Sequence, residues 1–260
     1  MQHDIALPAA PARMVPTTHR SLAQLAFPRR RWLHVTLLPA VLSALLWALG
    51  DTLLRGWERA LNISMPALGL NGELKAQPAR ALFEGTASVI VGDIPAGAPS
   101  QEQLVVGALI AAGLLLLSYI VSAERAPLRY LLRAVVLCLG ASLLFFGPLA
   151  GRLPYALGDH VSAGLTMTWV FMLLVPWLHA ATYHIFGFGL ARKLLLSVLT
   201  LAYLAVLAPA QYLFHVAVIQ QHSLLALPAL YLFGGVMLEV MGFVCLYAWA
   251  MSWDAPEDAA

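Results

Sequence analysis

The sequence predicts an all-α integral membrane protein: a bundle of about six transmembrane helices with one long extracytoplasmic loop. Of the 260 residues, 61% are apolar and 11% are charged, and the mean hydropathy is +0.80. A soluble domain has about 45–50% apolar and about 25% charged residues. Six apolar runs have about the 20 residues that a helix needs to cross a bilayer, and they are 33–54, 104–122, 131–150, 161–183, 194–219 and 224–250.

The polar segments between these runs define the predicted organisation. Residues 1–32 are polar and rich in proline, which predicts a mostly disordered cytoplasmic tail. The first helix (33–54) is followed by an extracytoplasmic loop (55–103), in which the short apolar run ASVIV predicts a small β-hairpin. A five-helix bundle (104–250) and a cytoplasmic tail (251–260) complete the chain.

Basic residues predict the orientation of the bundle. If the N-terminus is cytoplasmic, the inner segments carry Arg13, Arg20, Arg29, Arg30, Arg31, Arg125, Arg129, Arg133, Arg192 and Lys193, whereas the outer segments carry Arg55, Arg59, Lys75, Arg80 and Arg152. Because cytoplasmic loops are enriched in lysine and arginine, both termini are expected in the cytoplasm. We therefore expect a multi-pass protein of a bacterial-type inner (plasma) membrane.

Glu239 is the residue of the last run that most needs an explanation. It lies in the apolar segment YLFGGVMLEVMGF, about 16 Å from the inner edge by helical rise. An ionised carboxylate at that depth costs at least a few kcal/mol, so it is expected to be protonated, paired or facing water. Tyr203 lies at a similar depth in the preceding run, which predicts a Glu239–Tyr203 hydrogen bond. The carboxyl either joins two helices or handles a proton or cation.

Other polar side chains extend the set of functional candidates. Gln211 and His215 are one turn apart and follow Pro209, which frees a backbone carbonyl and predicts a polar, kinked patch. His179 and His184 lie near the inner end of the fourth run. The candidate residues are therefore Glu239, Tyr203, Gln211, His215, His179 and His184, and no residue is predicted to be catalytic.

No metal site or cofactor is predicted, although the histidines leave one alternative open. His160, His215 and His222 lie near the outer surface, and His34, His179 and His184 lie near the inner one. A b-type cytochrome with two haems needs an axial pair at each level. Histidine at helix ends also interacts with headgroups and terminal carbonyls, which is the interpretation that needs no haem.

One segment carries a family resemblance. WLHAATYHIFGFGLARKLLLSVLTLAYLAVLAP has a glycine-containing turn, basic residues, an apolar helix and an alanine–tyrosine pair before a proline. These features are Gly187, Gly189, Arg192, Lys193, Ala202, Tyr203 and Pro209. Residues 166–209 in this respect resemble the Yip1-type multi-pass membrane proteins. The resemblance implies a non-enzymatic protein of membrane organisation or trafficking-type assemblies.

Taken together, these patterns favour a non-enzymatic component of a transport or envelope-assembly system. One alternative is an intramembrane enzyme or b-type haem protein that uses Glu239 and the histidines. Another is a lipid-interacting membrane scaffold. The expected partners are the lipid bilayer and other membrane proteins or further copies of the chain. A formal net charge of +2 gives no reason to expect a nucleic-acid partner.

Overall fold

The computed structural model describes residues 29–78, 88–149, 157–182 and 190–254. The predicted disordered tail lies almost wholly outside this part of the chain. The second candidate histidine of the fourth run, His184, also lies outside it, as do Gly187 and Gly189 of the family resemblance.

Helices form nearly all of the described chain. In order, they and the two strands are α1 (Arg29–Ala67), β1 (Glu73–Pro78), β2 (Ser88–Asp93), α2 (Gln101–Ile120), α3 (Ala126–Leu149), α4 (Leu157–Thr182), α5 (Leu190–Gln221), α6 (Leu227–Ala229) and α7 (Met237–Met251). Within the described residues, six segments are long and apolar enough to cross a membrane, and the last of them is Leu224–Met251. The prediction of six such segments is confirmed.

The first helix is longer than predicted. It continues to Ala67, so the boundary expected at residue 54 was wrong and the loop is correspondingly shorter. The charged residues after position 54 ended the apolar run, but Trp57, Leu61 and Met65 recur at a spacing of four residues and are buried. This spacing places the three side chains on one helix face. An amphipathic extension of α1 therefore replaces about the first quarter of the expected loop.

The predicted small hairpin is present after α1. β1 and β2 pair in antiparallel fashion, and Leu74 and Ile90 are buried beneath them. The Asn62 side chain donates to Leu74 O (2.8 Å) and accepts from Leu74 N (2.9 Å). Because these bonds complete the edge of β1, an α1 side chain anchors the hairpin. We call this end of the bundle the hairpin side.

Backbone contact also holds the hairpin on α4. A Cβ atom at Gly158 would lie 1.9 Å from Gly92 O, so the two glycines let α4 and β2 touch through their main chains. Gln220, near the end of α5, donates from Nε2 to Asn71 O (2.6 Å) and Pro95 O (3.1 Å). The hairpin segment is thus fixed to α1, α4 and α5.

Among the remaining helices, α4 and α5 are the most buried, and α2 and α3 form a peripheral pair. α4 packs against α1 and α5, and α7 packs against α5. α2 and α3 pack chiefly on each other, and Arg129 Nε donates to Ser118 O (3.1 Å) where the two helices meet. Arg133 lies over the Tyr119 ring at 5.2 Å from its centroid, a cation–π contact. These side-chain contacts hold α2 and α3 together.

Candidate functional site

Buried polar side chains mark where a site can lie in an apolar bundle. Among the described residues they are Ser118, Ser142, Thr168, His179, Ser197, Thr200, Gln211, His215 and Glu239. Those that gather around the carboxyl come from three elements: Thr168 from α4, Gln211 from α5 and Glu239 from α7. Buried polar groups in a membrane are costly and are usually paired, so this gathering is the candidate site.

Glu239 forms hydrogen bonds with two buried neighbours. Its Oε1 atom lies 2.5 Å from Thr168 Oγ1 and 3.3 Å from Gln211 Nε2, and the residue is 7% exposed. No lysine or arginine contacts this carboxyl among the residues that the structure describes. The site therefore contains a titratable acid without a basic partner.

The Thr168 hydroxyl gives the site two complete hydrogen-bond patterns. Besides Glu239, the hydroxyl oxygen lies 3.1 Å from Gly164 O. A hydroxyl has one proton to donate but can also accept. When Thr168 donates to Gly164 O, it accepts from a protonated Glu239, and when it donates to Glu239, the carboxyl can be ionised. Both the protonated and the ionised carboxyl of Glu239 thus have a hydrogen-bond partner in Thr168.

An irregular backbone precedes the carboxyl. Residues Leu230–Val236 form a π-helical segment, and Gly235 has non-helical dihedral angles (φ −100°, ψ −107°). Glu239 consequently lies in the first turn of α7, where the helix dipole favours a negative charge. Interruptions of this kind occur often at functional sites, and broken helices in transporters place their binding sites near the middle of the membrane.

Two histidines lie on the hairpin side of the carboxyl. His160 Nε2 and His215 Nδ1 are 3.2 Å apart, and their rings stack with centroids 5.4 Å apart. His215 is fully buried, and a Cβ atom at Gly234 would lie 2.7 Å from its Nε2 atom. The absence of a side chain at Gly234 therefore gives the His215 ring its place against the π-helical segment.

The predicted polar patch after Pro209 is present, and the carbonyl that the proline leaves free is satisfied from outside the helix. Pro209 has no N–H to offer the carbonyl of residue 205. Trp57 Nε1 donates to Ala205 O instead, at 2.8 Å. Gln211 and His215, one turn apart, are both buried and extend toward different neighbours, Glu239 and His160.

The predicted hydrogen bond between Glu239 and Tyr203 was wrong. The Tyr203 hydroxyl donates to the backbone carbonyl of Leu238 (3.4 Å), and its ring lies where a Cβ atom at Gly242 would be, 2.2 Å away. Tyr203 lies beside Leu238, close to the expected depth, but the Glu239 carboxyl extends along α5 away from it. It meets Gln211, about 12 Å further along by helical rise.

His179 belongs to a separate polar contact. It is fully buried, its Nδ1 atom lies 3.2 Å from Ser197 Oγ, and its ring stacks on Phe243 with centroids 5.1 Å apart. Phe243 is one turn beyond Glu239 on α7, so this contact lies on the side of the carboxyl away from the hairpin. His184, predicted alongside it, lies outside the described residues.

The site offers no cluster of metal ligands within the described part of the chain. No group of three or more histidine, cysteine, aspartate or glutamate residues there could hold a metal ion. His160 and His215 face each other through hydrogen-bonding nitrogen atoms, and His222 lies apart from them, lining a surface pocket of about 540 Å³. The haem alternative stays a prediction.

Thr168 and the pairing of His160 with His215 were not identified from the sequence. Thr168 lies within TMTWVF, about a third of the way along the fourth apolar run. A hydroxyl at that depth needs a hydrogen-bond partner, and this requirement was the feature of the sequence that could have identified Thr168. His160 was grouped with the outer histidines, but periodicity alone does not show that its ring points into the bundle.

No family model, curated protein sequence or solved structure matches this chain. The class of protein consequently rests on its own architecture. Six helices long and apolar enough to span a bilayer indicate a multi-pass membrane protein, and its buried acid is the distinguishing feature. The resemblance of residues 166–209 to Yip1-type proteins stays a prediction.

Proposed function

We propose that this chain is a non-enzymatic component of a transport or envelope-assembly system and that it binds and releases a proton at Glu239. The observation that carries the proposal is the hydrogen-bond arrangement of the carboxyl. Its Oε1 atom lies 2.5 Å from a Thr168 hydroxyl that has a second acceptor, Gly164 O, at 3.1 Å. The carboxyl can therefore gain or lose a proton without leaving a neighbour unsatisfied.

The surroundings of the carboxyl favour proton handling over a purely structural contact. A glutamine in this position would join α4, α5 and α7 equally well, because it offers both a donor and an acceptor. A glutamate adds the possibility of ionisation, which is expensive in a membrane. The first turn of α7 and the Gln211 amide, 3.3 Å from Oε1, reduce that cost when the proton leaves.

Substitution of Glu239 tests the proposal. In a host lacking the gene, Glu239→Gln is expected to reach the membrane in the wild-type amount without restoring the lost function, whereas Glu239→Asp restores part of it. Thermal unfolding of the purified variants provides the control for folding. A folded Glu239→Gln variant with full function would show that the acid only joins helices.

The proposed setting is a bacterial-type inner membrane with both termini in the cytoplasm. The support is the excess of basic residues in the segments assigned to the inside. Gly97 is exposed on the loop that follows β2, and a Cβ atom added there would have no other atom within 4 Å. A Gly97→Cys variant, in a background without Cys138 and Cys245, is expected to react with an impermeant thiol reagent added outside intact cells. Labelling only after the cells are opened would reverse the orientation.

A further inference from the structure

The histidine pair and the buried carboxyl lie along one polar path. The path begins at His160, in the first turns of α4 on the hairpin side, and continues to His215 on α5. Gln211, one helical turn away from His215, contacts Glu239. The same face of α5 therefore connects a half-buried imidazole with the acid.

We infer that His160 and His215 form a proton relay between the hairpin side and Glu239. This inference rests on the proposed function of Glu239. The first step is set by the distance of 3.2 Å between His160 Nε2 and His215 Nδ1, at which the two rings share one proton. His160 is partly exposed and can exchange with water, whereas His215 is fully buried.

The second step uses two buried atoms of α5. By hydrogen-bond geometry, His215 Nε2 and Gln211 Oε1 lack a partner within the described residues, although the Gly234 backbone lies beside the His215 ring and the Tyr212 hydroxyl lies beside Gln211. Their residues are separated by one turn, about 6 Å of helical rise, and the relay requires one water molecule between the two atoms. A buried water typically makes about three hydrogen bonds to polar groups that otherwise lack partners. The Glu239 carboxyl, beside Gln211, supplies the third partner.

Protons balance at each step of the relay. A proton taken up at His160 Nδ1 displaces the one on His160 Nε2, which passes to His215 Nδ1. His215 then releases the proton on its Nε2 atom through the bridging water to an ionised Glu239. Both rings end neutral in the opposite tautomer, and reversal of the two transfers or rotation of the rings restores the starting arrangement.

The groups around the pair permit this transfer. The Tyr212 and Tyr231 rings face His160 at centroid distances of 5.9 and 6.0 Å, and Tyr212 also packs against His215 at 5.2 Å. Asp159, next to His160 in the chain, is exposed. No lysine or arginine contacts either imidazole among the described residues, so no fixed positive charge opposes a proton on the pair.

Infrared spectroscopy of the protein in liposomes tests the relay without knowledge of a substrate. The Glu239 carboxyl band is assigned by its loss in Glu239→Gln and is followed after a change to deuterated buffer, at an acidic pH where the protein stays folded. His160→Gln and His215→Gln are expected to slow deuterium exchange at Glu239 by about a hundredfold, the scale of a lost acid–base group. His222→Gln, on the same side but away from the path, is the matched control and is expected to exchange at the wild-type rate.

The outcomes separate the relay from the function on which it rests. Wild-type exchange rates in both relay variants would overturn the relay and leave proton binding at Glu239 standing. A wild-type protein without an exchanging Glu239 band would overturn the proposed function itself. If His215→Gln does not fold, His160→Gln decides, because its half-buried position tolerates the change.

Discussion

The helix pair α4–α5 and the helix pair α2–α3 differ in burial although both are apolar enough to span a membrane. In their most apolar windows, 44% and 39% of the residues of the fourth and fifth spans are buried, against 11% in each of the second and third. Mean hydropathy runs the other way, at 1.7 and 1.9 for the buried spans and 2.2 and 2.0 for the peripheral ones. The most apolar helices are therefore the least buried.

This inversion follows from the solvent. Lipid tails are as apolar as leucine, so a membrane helix gains little by burying its leucines against protein. It gains more by bringing small and polar residues together, as α4 and α5 do with Gly164, Thr168 and Gln211. In this protein the polar positions of a span, rather than its hydropathy, identify the core.

The largest expected effect comes from adding one methyl group to α4, at the point where this helix touches β2. In Gly158→Ala the new Cβ atom would lie 1.9 Å from Gly92 O, and a backbone atom cannot move aside as a side-chain tip can. We expect a loss of about 2–3 kcal/mol in the free energy of unfolding, at the upper end of overpacking costs. Denaturant unfolding in detergent measures it.

Gly113→Ala is the matched control for this change. Gly113 lies on α2 with no atom within 4 Å of an added Cβ, so the substitution is expected to be neutral or slightly stabilising. Equal destabilisation of the two variants would contradict the division into a buried and a peripheral pair.

An intermediate effect is expected from removing the buried acid. Glu239→Leu leaves Thr168 and Gln211 without their shared partner and should lower stability by about 1–2 kcal/mol. Ser142→Ala is the comparison on α3, because the Ser142 hydroxyl, also buried, donates to Cys138 O of its own helix at 3.0 Å. Its removal should cost less than about 0.5 kcal/mol. Thermal unfolding compares the two variants. A Glu239→Leu variant as stable as wild type would show that the carboxyl does not help to hold the buried helices together.

The sequence was sufficient for the architecture and for part of the site. Apolar runs locate the six spans because a bilayer requires a minimum helix length, and ASVIV located β2. Depth in an apolar run singled out Glu239, but neither its partners on α4 and α5 nor the π-helical segment before it was predicted. No pattern in YLFGGVM distinguishes that irregularity from a straight helix containing two glycines.

Helix ends and side-chain directions were harder to predict. α1 extends past residue 54 because Trp57, Leu61 and Met65 find a buried surface, which is tertiary information. The same limit applies to His160, whose position was known but whose neighbour on α5 was not. Spacing along one helix gives the face of a residue, and only the packing of two helices gives its partner.

The smallest and most specific effect, a coupling of about 1 kcal/mol, concerns the carbonyl of residue 205 on α5, which Pro209 frees. Trp57 Nε1 donates to Ala205 O at 2.8 Å, so Trp57→Phe should cost about 1–2 kcal/mol, part from lost packing and part from an unsatisfied carbonyl. In a Pro209→Ala background, the new amide at position 209 can donate to the same carbonyl. The cost of Trp57→Phe should then fall by about 1 kcal/mol, while the packing loss is unchanged. Denaturant unfolding of the four proteins of this cycle measures the difference, and Trp57→Phe in a Gly113→Ala background should keep its full cost. If the cost is the same in all three backgrounds, the indole N–H does not compensate the carbonyl that Pro209 frees, and the contact between α1 and α5 is one of packing alone.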